Sequence, residues 1–155
     1  MVREWLRKDE VESGDEERVS SLLFHIGREL RTALDRRLEA HGLTSQQAGL
    51  LLLSRLLREP NPIRMAARLG TDTAGMTRLI DRLEAKGLVA RKISPDDRRS
   101  IVVVLGPRSK HVLPRLVPTF KTVETGLLDG FDASEGRQLN SMLRRLLKNT
   151  RKLNK

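Results

Sequence analysis

Between Pro62 and Leu105 the chain reads PIRMAARLGTDTAGMTRLIDRLEAKGLVARKISPDDRRSIVVVL, and its punctuation leaves few ways to fold it. Gly70 and Gly87 each follow a run of helical periodicity, where a residue able to take the left-handed conformation ends a helix. Ile63 to Leu69 is expected as a short helix and Thr71 to Lys86 as a second one, joined by a tight turn. Leu88 to Ile93 and Ser100 to Leu105 carry the β-branched residues of strands. Ser94-Pro95-Asp96-Asp97 turns between them, with Pro95 where a type I turn accepts it. Two helices and a hairpin bearing a charged loop are the expected centre of the fold.

The helix from Thr71 has two faces. Met76, Leu79, Ile80 and Leu83 form the apolar one, and Ala74, Gly75, Arg78, Arg82 and Lys86 the other. Its first turn is small and polar, which permits close approach to a groove, and the free N–H groups of a helix start favour phosphate. Arg78 can reach a guanine edge bidentately, while Thr73 or Thr77 can touch a thymine methyl or a phosphate. In the hairpin loop Asp97 and Arg99 lie two apart, so the carboxylate is expected to hold the guanidinium in one orientation, with Arg98 beside it. An oriented arginine at a protruding tip suits a narrow minor groove. Taken singly, the helix is an ordinary amphipathic one and the loop pair a weak ion pair. Together with the charge they point to DNA.

That charge is +10 over 155 residues, carried mostly by arginine. Arginine binds phosphate bidentately and sheds water more readily than lysine. The chain has no cysteine, which excludes disulfides, thiol redox sensing and thiolate metal sites. It also lacks the run of about 18 apolar residues that a membrane span needs. Arg3, Glu4, Arg7 and Lys8 come with no apolar core, so the N-terminus does not read as a signal peptide. A cytoplasmic protein with no membrane partner is the expectation.

Residues 1–17 read as a flexible N-terminal arm in which Trp5 is a candidate anchor. From about Asp15 to Ala40, Val19, Leu22, Leu23, Ile26, Leu30, Leu34 and Leu38 recur at helical spacing and His41-Gly42 ends the run. Thr44 with Gln47 forms a capping box for the next helix, expected to reach Arg58 and, with Leu50 to Leu53 in a row, to be buried centrally. After Gly106-Pro107 a longer helical pattern is followed by a last helix starting at Asp132 or Ser134, then a basic tail from Lys148 to Lys155. The first helix and the last two carry more apolar stripe than one small core absorbs, so packing against a second copy is expected. The expected division is an arm at 1–17, a helical dimerisation region at 18–42 and 107–155, and a DNA-binding region at 43–106.

Leu69 to Arg91, reading LGTDTAGMTRLIDRLEAKGLVAR, closely resembles the recognition-helix signature of the MarR family of winged helix-turn-helix regulators. Asp97-Arg98-Arg99 before an apolar strand resembles the wing motif of that family, and the resemblance spans about residues 18–150. It implies a mainly α fold with a small β-hairpin wing, a winged helix-turn-helix flanked by N- and C-terminal dimerisation helices. It also implies that Thr71 to Arg82 enter the major groove and Arg99 the minor groove, with Asp97 orienting it. Members are homodimers that usually repress transcription at palindromic operators, and many are released by a small aromatic ligand. The chain departs from the family at Leu105-Gly106-Pro107, where Leu-Thr is common; Pro107 is expected as the first helical residue there. Pro114 and Pro118 should kink the next helix or delay its start.

The DNA-binding set read from the sequence is Arg55, Arg64, Arg68, Thr71, Thr73, Ala74, Gly75, Thr77, Arg78, Arg82, Asp97, Arg98 and Arg99. Arg55, Arg64, Arg68 and Arg82 are the phosphate contacts among them. A ligand pocket between the dimer helices and the DNA-binding lobe is implied by the resemblance, and its candidate walls are Phe24, His25, Arg28, Leu51 and Phe120. A small-molecule effector would thus join double-stranded DNA and a second copy as partners. His41, with Glu39 and His111, is too sparse a set to read as a metal site, and no cofactor is expected. No nucleophile elbow or phosphate loop is present, so an enzyme is not expected. The rival reading is a winged module that binds a protein or structured RNA without reading DNA sequence.

Overall fold

A computed structural model of the chain describes residues 18–153. The arm expected at 1–17, Trp5 included, lies outside the described residues. The elements run α1 (Val19–Leu38), a 3-10 turn at Glu39–His41, α2 (Ser45–Leu56), α3 (Pro62–Leu69), α4 (Thr73–Ala85), β1 (Val89–Ile93), β2 (Ile101–Leu105), α5 (Ser109–Leu127) and α6 (Ala133–Leu153). This is the expected winged helix-turn-helix order, mainly helical with one two-stranded hairpin.

Local chemistry sets the boundaries. The Thr44–Gln47 capping box forms, with Gln47 N–H donating to Thr44 Oγ1 at 3.3 Å and Thr44 N–H to Gln47 Oε1 at 3.2 Å. Asn61 caps α3 through Ile63 N–H at 2.9 Å, and Pro62 takes the first helical position, where its missing donor costs nothing. Asp72 caps α4 through Gly75 N–H at 2.6 Å, so this helix begins at Thr73 rather than at Thr71. Gly70 and Gly87 sit at φ 62° and 68° and end α3 and α4. The hairpin is antiparallel, from Val89 opposite Leu105 to Ile93 opposite Ile101.

The chain divides into two compact units, at Leu116 and Val117. In the first, Leu38, Leu50, Leu51, Met65, Met76, Ile80, Leu83, Val103 and Leu116 are fully buried. α4 packs on α2, α3 and β1, and β2 packs on α2 and α3. The leucine run of α2 is only half central: Leu50 and Leu51 are buried, Leu52 and Leu53 half-buried, and the helix stops at Leu56, which is exposed. Consecutive helical residues point about 100° apart, so four in a row cannot all face one core.

In the second unit none of the described residues is buried. Asp132 caps α6 by accepting Ser134 N–H at 2.6 Å and Glu135 N–H at 2.9 Å. The expected basic tail is helical as far as Leu153, because Arg151 and Lys152 extend the last turn where positive charge is favourable.

α5 corrects one expectation, that Pro107 is its first helical residue. Pro107 lies in a turn, and the helix begins at Ser109. From there it runs unbroken to Leu127 through Pro114 and Pro118. Being four apart, the two prolines leave the carbonyls of Lys110 and Pro114 without their i+4 amides, on one face of the helix. The boundary between the units falls between these prolines. Among the described residues, no helix is long and apolar enough to cross a membrane.

Candidate nucleic-acid interface

The polar face of α4 borders an open groove of about 430 Å³ lined by Gln46, Gly70, Thr71, Asp72, Gly75, Arg78, Leu79 and Arg82. Four residues of the expected set, Thr71, Gly75, Arg78 and Arg82, are brought together there. Thr73, Ala74 and Thr77 are exposed on the same helix, and the Thr77 hydroxyl donates to Thr73 O at 3.0 Å. Arg55 is exposed in the last turn of α2, and Arg64 and Arg68 are exposed on α3; none of the three lines the groove.

Gly75 is needed for the shape of this groove. A Cβ there would stand 2.3 Å from Thr71 Oγ1 and 2.9 Å from Asp72 Oδ1. Thr71 therefore folds over the first turn of α4, and the Asp72 cap keeps its short bond, only because position 75 carries no side chain. Asp72 itself is committed to capping. Gln46, from the first turn of α2, shares the groove and was not marked by the sequence, where it reads as an ordinary polar residue beside the capping box.

Arg91 holds the helix and the wing together, and the sequence reading did not single it out either. From β1 its guanidinium pairs with Glu84, donates to Asp81 Oδ1 at 2.6 Å, and reaches Thr77 O at 3.4 Å. Its backbone N–H also donates to Glu84 Oε1 at 2.7 Å. Three acceptors on successive turns of α4 thus converge on one strand residue. Arg91 and Glu84 are about 30% exposed (29% and 31%), so the cluster is better shielded than a surface pair. We expect Arg91→Ala to destabilise the fold by about 1–2 kcal/mol in chemical denaturation. Lysine should recover only part, since it lacks the fork. A loss below about 0.5 kcal/mol would reduce the cluster to a surface ion pair.

Lys86 was expected on the groove face but is the C-cap of α4, where its ammonium donates to Gly42 O at 2.6 Å and Gln47 Oε1 at 3.4 Å. It anchors the far end of the helix.

The wing tip departs from expectation in how it is held. Asp97 does not grip the Arg99 guanidinium. Its Oδ1 accepts the backbone N–H of Arg99 at 2.9 Å and its Oδ2 accepts the Ser100 hydroxyl at 2.7 Å. A short carboxylate two residues upstream reaches the backbone before it can reach a long side chain. The hydrogen-bonded turn is Asp97–Ser100, closed by Ser100 N–H to Asp97 O at 2.9 Å, rather than Ser94–Asp97. Asp97 therefore shapes the backbone from which Arg99 projects. Arg98 and Arg99 are both exposed.

The Ser100 hydroxyl and then the Arg99 N–H hold the Asp97 carboxyl below its ordinary value. A depressed folded-state pKa stabilises at pH above the unfolded value, about 3.9, and that contribution is lost as pH falls through the lower folded value. The Arg99 amide shift should accordingly stay flat from pH 8 to 5 and titrate with a midpoint below about 3.9. A midpoint above that value would contradict the geometry.

The residues suggested as pocket walls lie on three helices. Phe24, His25 and Arg28 are exposed on α1, Leu51 is buried in the core, and Phe120 belongs to the second unit. Arg28 pairs with its neighbour Glu29 at 3.1 Å. Among the described residues, no group of three or more histidine or acidic side chains gathers to hold a metal.

A profile of the MarR family matches residues 43–101. The crystal structure of transcriptional regulator PA3341 aligns at 33% identity with a TM-score of 0.78, covering 87% of this chain and 99% of that one. A MarR mutant from E. coli complexed with operator DNA aligns at 23% identity with a TM-score of 0.73, covering 83% and 93%. CouR from Rhodococcus jostii, bound to p-coumaroyl-CoA, aligns at 23% identity with a TM-score of 0.76, covering 84% and 92%. At 23% identity the last two share the fold.

Proposed function

This chain belongs to the MarR family of DNA-binding transcriptional regulators, and we propose that it acts as a homodimeric repressor on palindromic operators, relieved by a small-molecule ligand. The observation that carries the DNA-reading part is the groove on α4, where Arg78 and Arg82 flank a first turn kept small by Gly75, on the same body as an arginine-tipped wing. In this reading α4 enters the major groove, with Arg78 and Thr73 reading base edges. Arg55, Arg64, Arg68 and Arg82 grip phosphate, and Arg99 enters the minor groove.

Two copies are supported by exposed apolar surface. On α1, Phe24 is 77% exposed and Val19 59%. In the second unit Val117, Leu127, Phe131, Met142 and Leu147 are all about half exposed. Stripes of this kind mark an interaction surface, and a twofold dimer would set two reading helices about 34–36 Å apart, in successive major grooves. Relief by a ligand is proposed by analogy with CouR, which binds p-coumaroyl-CoA.

The test is fluorescence anisotropy on the promoter region beside its own gene against a scrambled duplex, across a salt series. Four phosphate contacts per protomer correspond to a slope of log K against log salt of about −7 for the dimer. Tight, sequence-dependent binding at one dimer per site supports the proposal. Weak binding, equal for both duplexes, would sink it and favour a winged module with a protein or RNA partner.

A further inference from the structure

Two isoleucines stand in the open on the wing: Ile93 is 67% exposed and Ile101 42%. They lie directly opposite each other in the antiparallel register, as the last rung before the loop. Their side chains therefore share one face of the hairpin. Val89 opposite Leu105 and Arg91 opposite Val103 are the other two rungs of that face. It is the face turned toward α4, since Val89 and Val103 are buried and Arg91 pairs with Asp81 and Glu84. The isoleucine rung continues this inward face beyond the point where anything covers it.

Its position follows from the path of the chain. β1 leaves the end of α4 at Gly87 and runs back along the helix, so that Arg91 reaches Thr77 O at 3.4 Å. Ile93 stands one rung farther, roughly 7 Å beyond Arg91 along the strand. Ile101 is two residues past Arg99, just after the Asp97–Ser100 turn closes. The rung thus lies between α4, exposed at Thr73 and Thr77, and the turn that carries Arg98 and Arg99.

Strand propensity explains a β-branched residue at each position, but threonine satisfies it equally without apolar surface. The opposite face shows the ordinary solution, where exposed Lys92 stands across from Val102. Two aliphatic side chains paired in solvent between two basic readers need an apolar surface to meet.

We propose that the Ile93–Ile101 rung packs against the deoxyribose of the DNA strand that separates the groove entered by α4 from the groove entered by Arg99. A single body that reads a major groove and the adjoining minor groove must cross the backbone between them. Whatever lies between its two readers meets sugar as well as phosphate there. Phosphate calls for cations, and Arg78, Arg82, Arg98 and Arg99 stand on either side of the rung. The sugar presents C–H surface, which an aliphatic pair covers and a cation does not. This inference rests on the reading in which α4 and the wing enter adjacent grooves.

The test is anisotropy on the operator duplex with the double variant Ile93→Thr, Ile101→Thr, and with Arg64→Ala and Arg99→Ala measured beside it. Threonine keeps the branched Cβ of a strand residue, so thermal unfolding should match the parent. Operator affinity should fall at least about tenfold, since four side chains per dimer lose aliphatic burial. The slope of log K against log salt should stay that of the parent, because no cation is removed. Arg64→Ala should instead make that slope shallower by about 0.9 per protomer. The conservative pair Ile93→Val, Ile101→Val should keep most of the affinity. In the unaltered chain the methyl resonances of Ile93 and Ile101 should move on adding operator, and resonances that stay still would overturn the contact outright. Parent-like affinity in the threonine variant, with both arginine variants still weakened, would overturn the rung and leave the groove reading standing. Affinity lost in step with a lowered melting temperature would reduce the pair to a brace of the hairpin. A fall in dimer association would make it an interface between copies instead. A parent chain with no preference for its own promoter region would sink the groove reading, and the rung with it.

Discussion

Arg99→Ala should weaken operator binding at least about 30-fold while leaving the unfolding transition where it was. Loss of a specific DNA contact costs about 1–3 kcal/mol, and a dimer loses two. The fold should be indifferent, because Asp97 is bonded to the backbone of residue 99 and not to its side chain. Alanine keeps that N–H, so the turn from Asp97 to Ser100 closes as before. Anisotropy and thermal unfolding on the same preparation separate the two effects. An affinity within about threefold of the parent would remove the wing from the reading, since a single lost contact already exceeds that.

The largest effect on stability is expected at Gly106. A Cβ built there lies 2.4 Å from Gly87 O, 2.9 Å from Gly87 C and 3.0 Å from Leu88 C, all backbone atoms that no rotamer change can clear. The same residue donates its N–H to Leu88 O at 2.8 Å and accepts the Ser109 hydroxyl at 2.7 Å, while Arg108 N–H reaches Gly87 O at 3.3 Å. The end of α4, the base of the hairpin and the start of α5 therefore meet at one point. Gly106→Ala should cost about 3 kcal/mol, at the upper end of overpacking penalties, read as a lower denaturation midpoint at unchanged m-value. A cost below about 1 kcal/mol would mean that the strands part more easily than this packing allows. In this chain residue 106 is in contact with the backbone of residue 87.

Most of the fold was legible because its signals are local. Thr44 with Gln47 and the glycines at 70 and 87 act within a turn or two of themselves, and each formed where the spacing put it. The groove was legible for a related reason: Gly75, Arg78 and Arg82 recur every three or four residues, so one helix alone aligns them, and Thr71 folds over its first turn. What the sequence hid was set by contacts between elements. Arg91 meets Asp81 and Glu84 only once β1 lies along α4, and Gln46 faces the groove only because α2 packs beside that helix. Lys86 has the spacing of a groove residue, yet the helix ends beneath it and turns it toward Gly42. At the wing the spacing of Asp97 and Arg99 was right and the partner atom was not, since sequence separation does not distinguish a backbone amide from a guanidinium. α5 begins at Ser109 rather than at Pro107, because the N–H groups of Gly106 and Arg108 are drawn to Leu88 O and Gly87 O, contacts from another element.

From Val117 onward the chain buries none of its described residues, so in the proposed homodimer the second copy would cover the leucines of those helices. The stability gained that way obeys mass action. Each tenfold rise in concentration adds about 1.4 kcal/mol to the free energy that opposes unfolding of the dimer to separate chains, and the melting temperature climbs with it. Dilution then acts twice, emptying the operator and loosening the molecule that reads it.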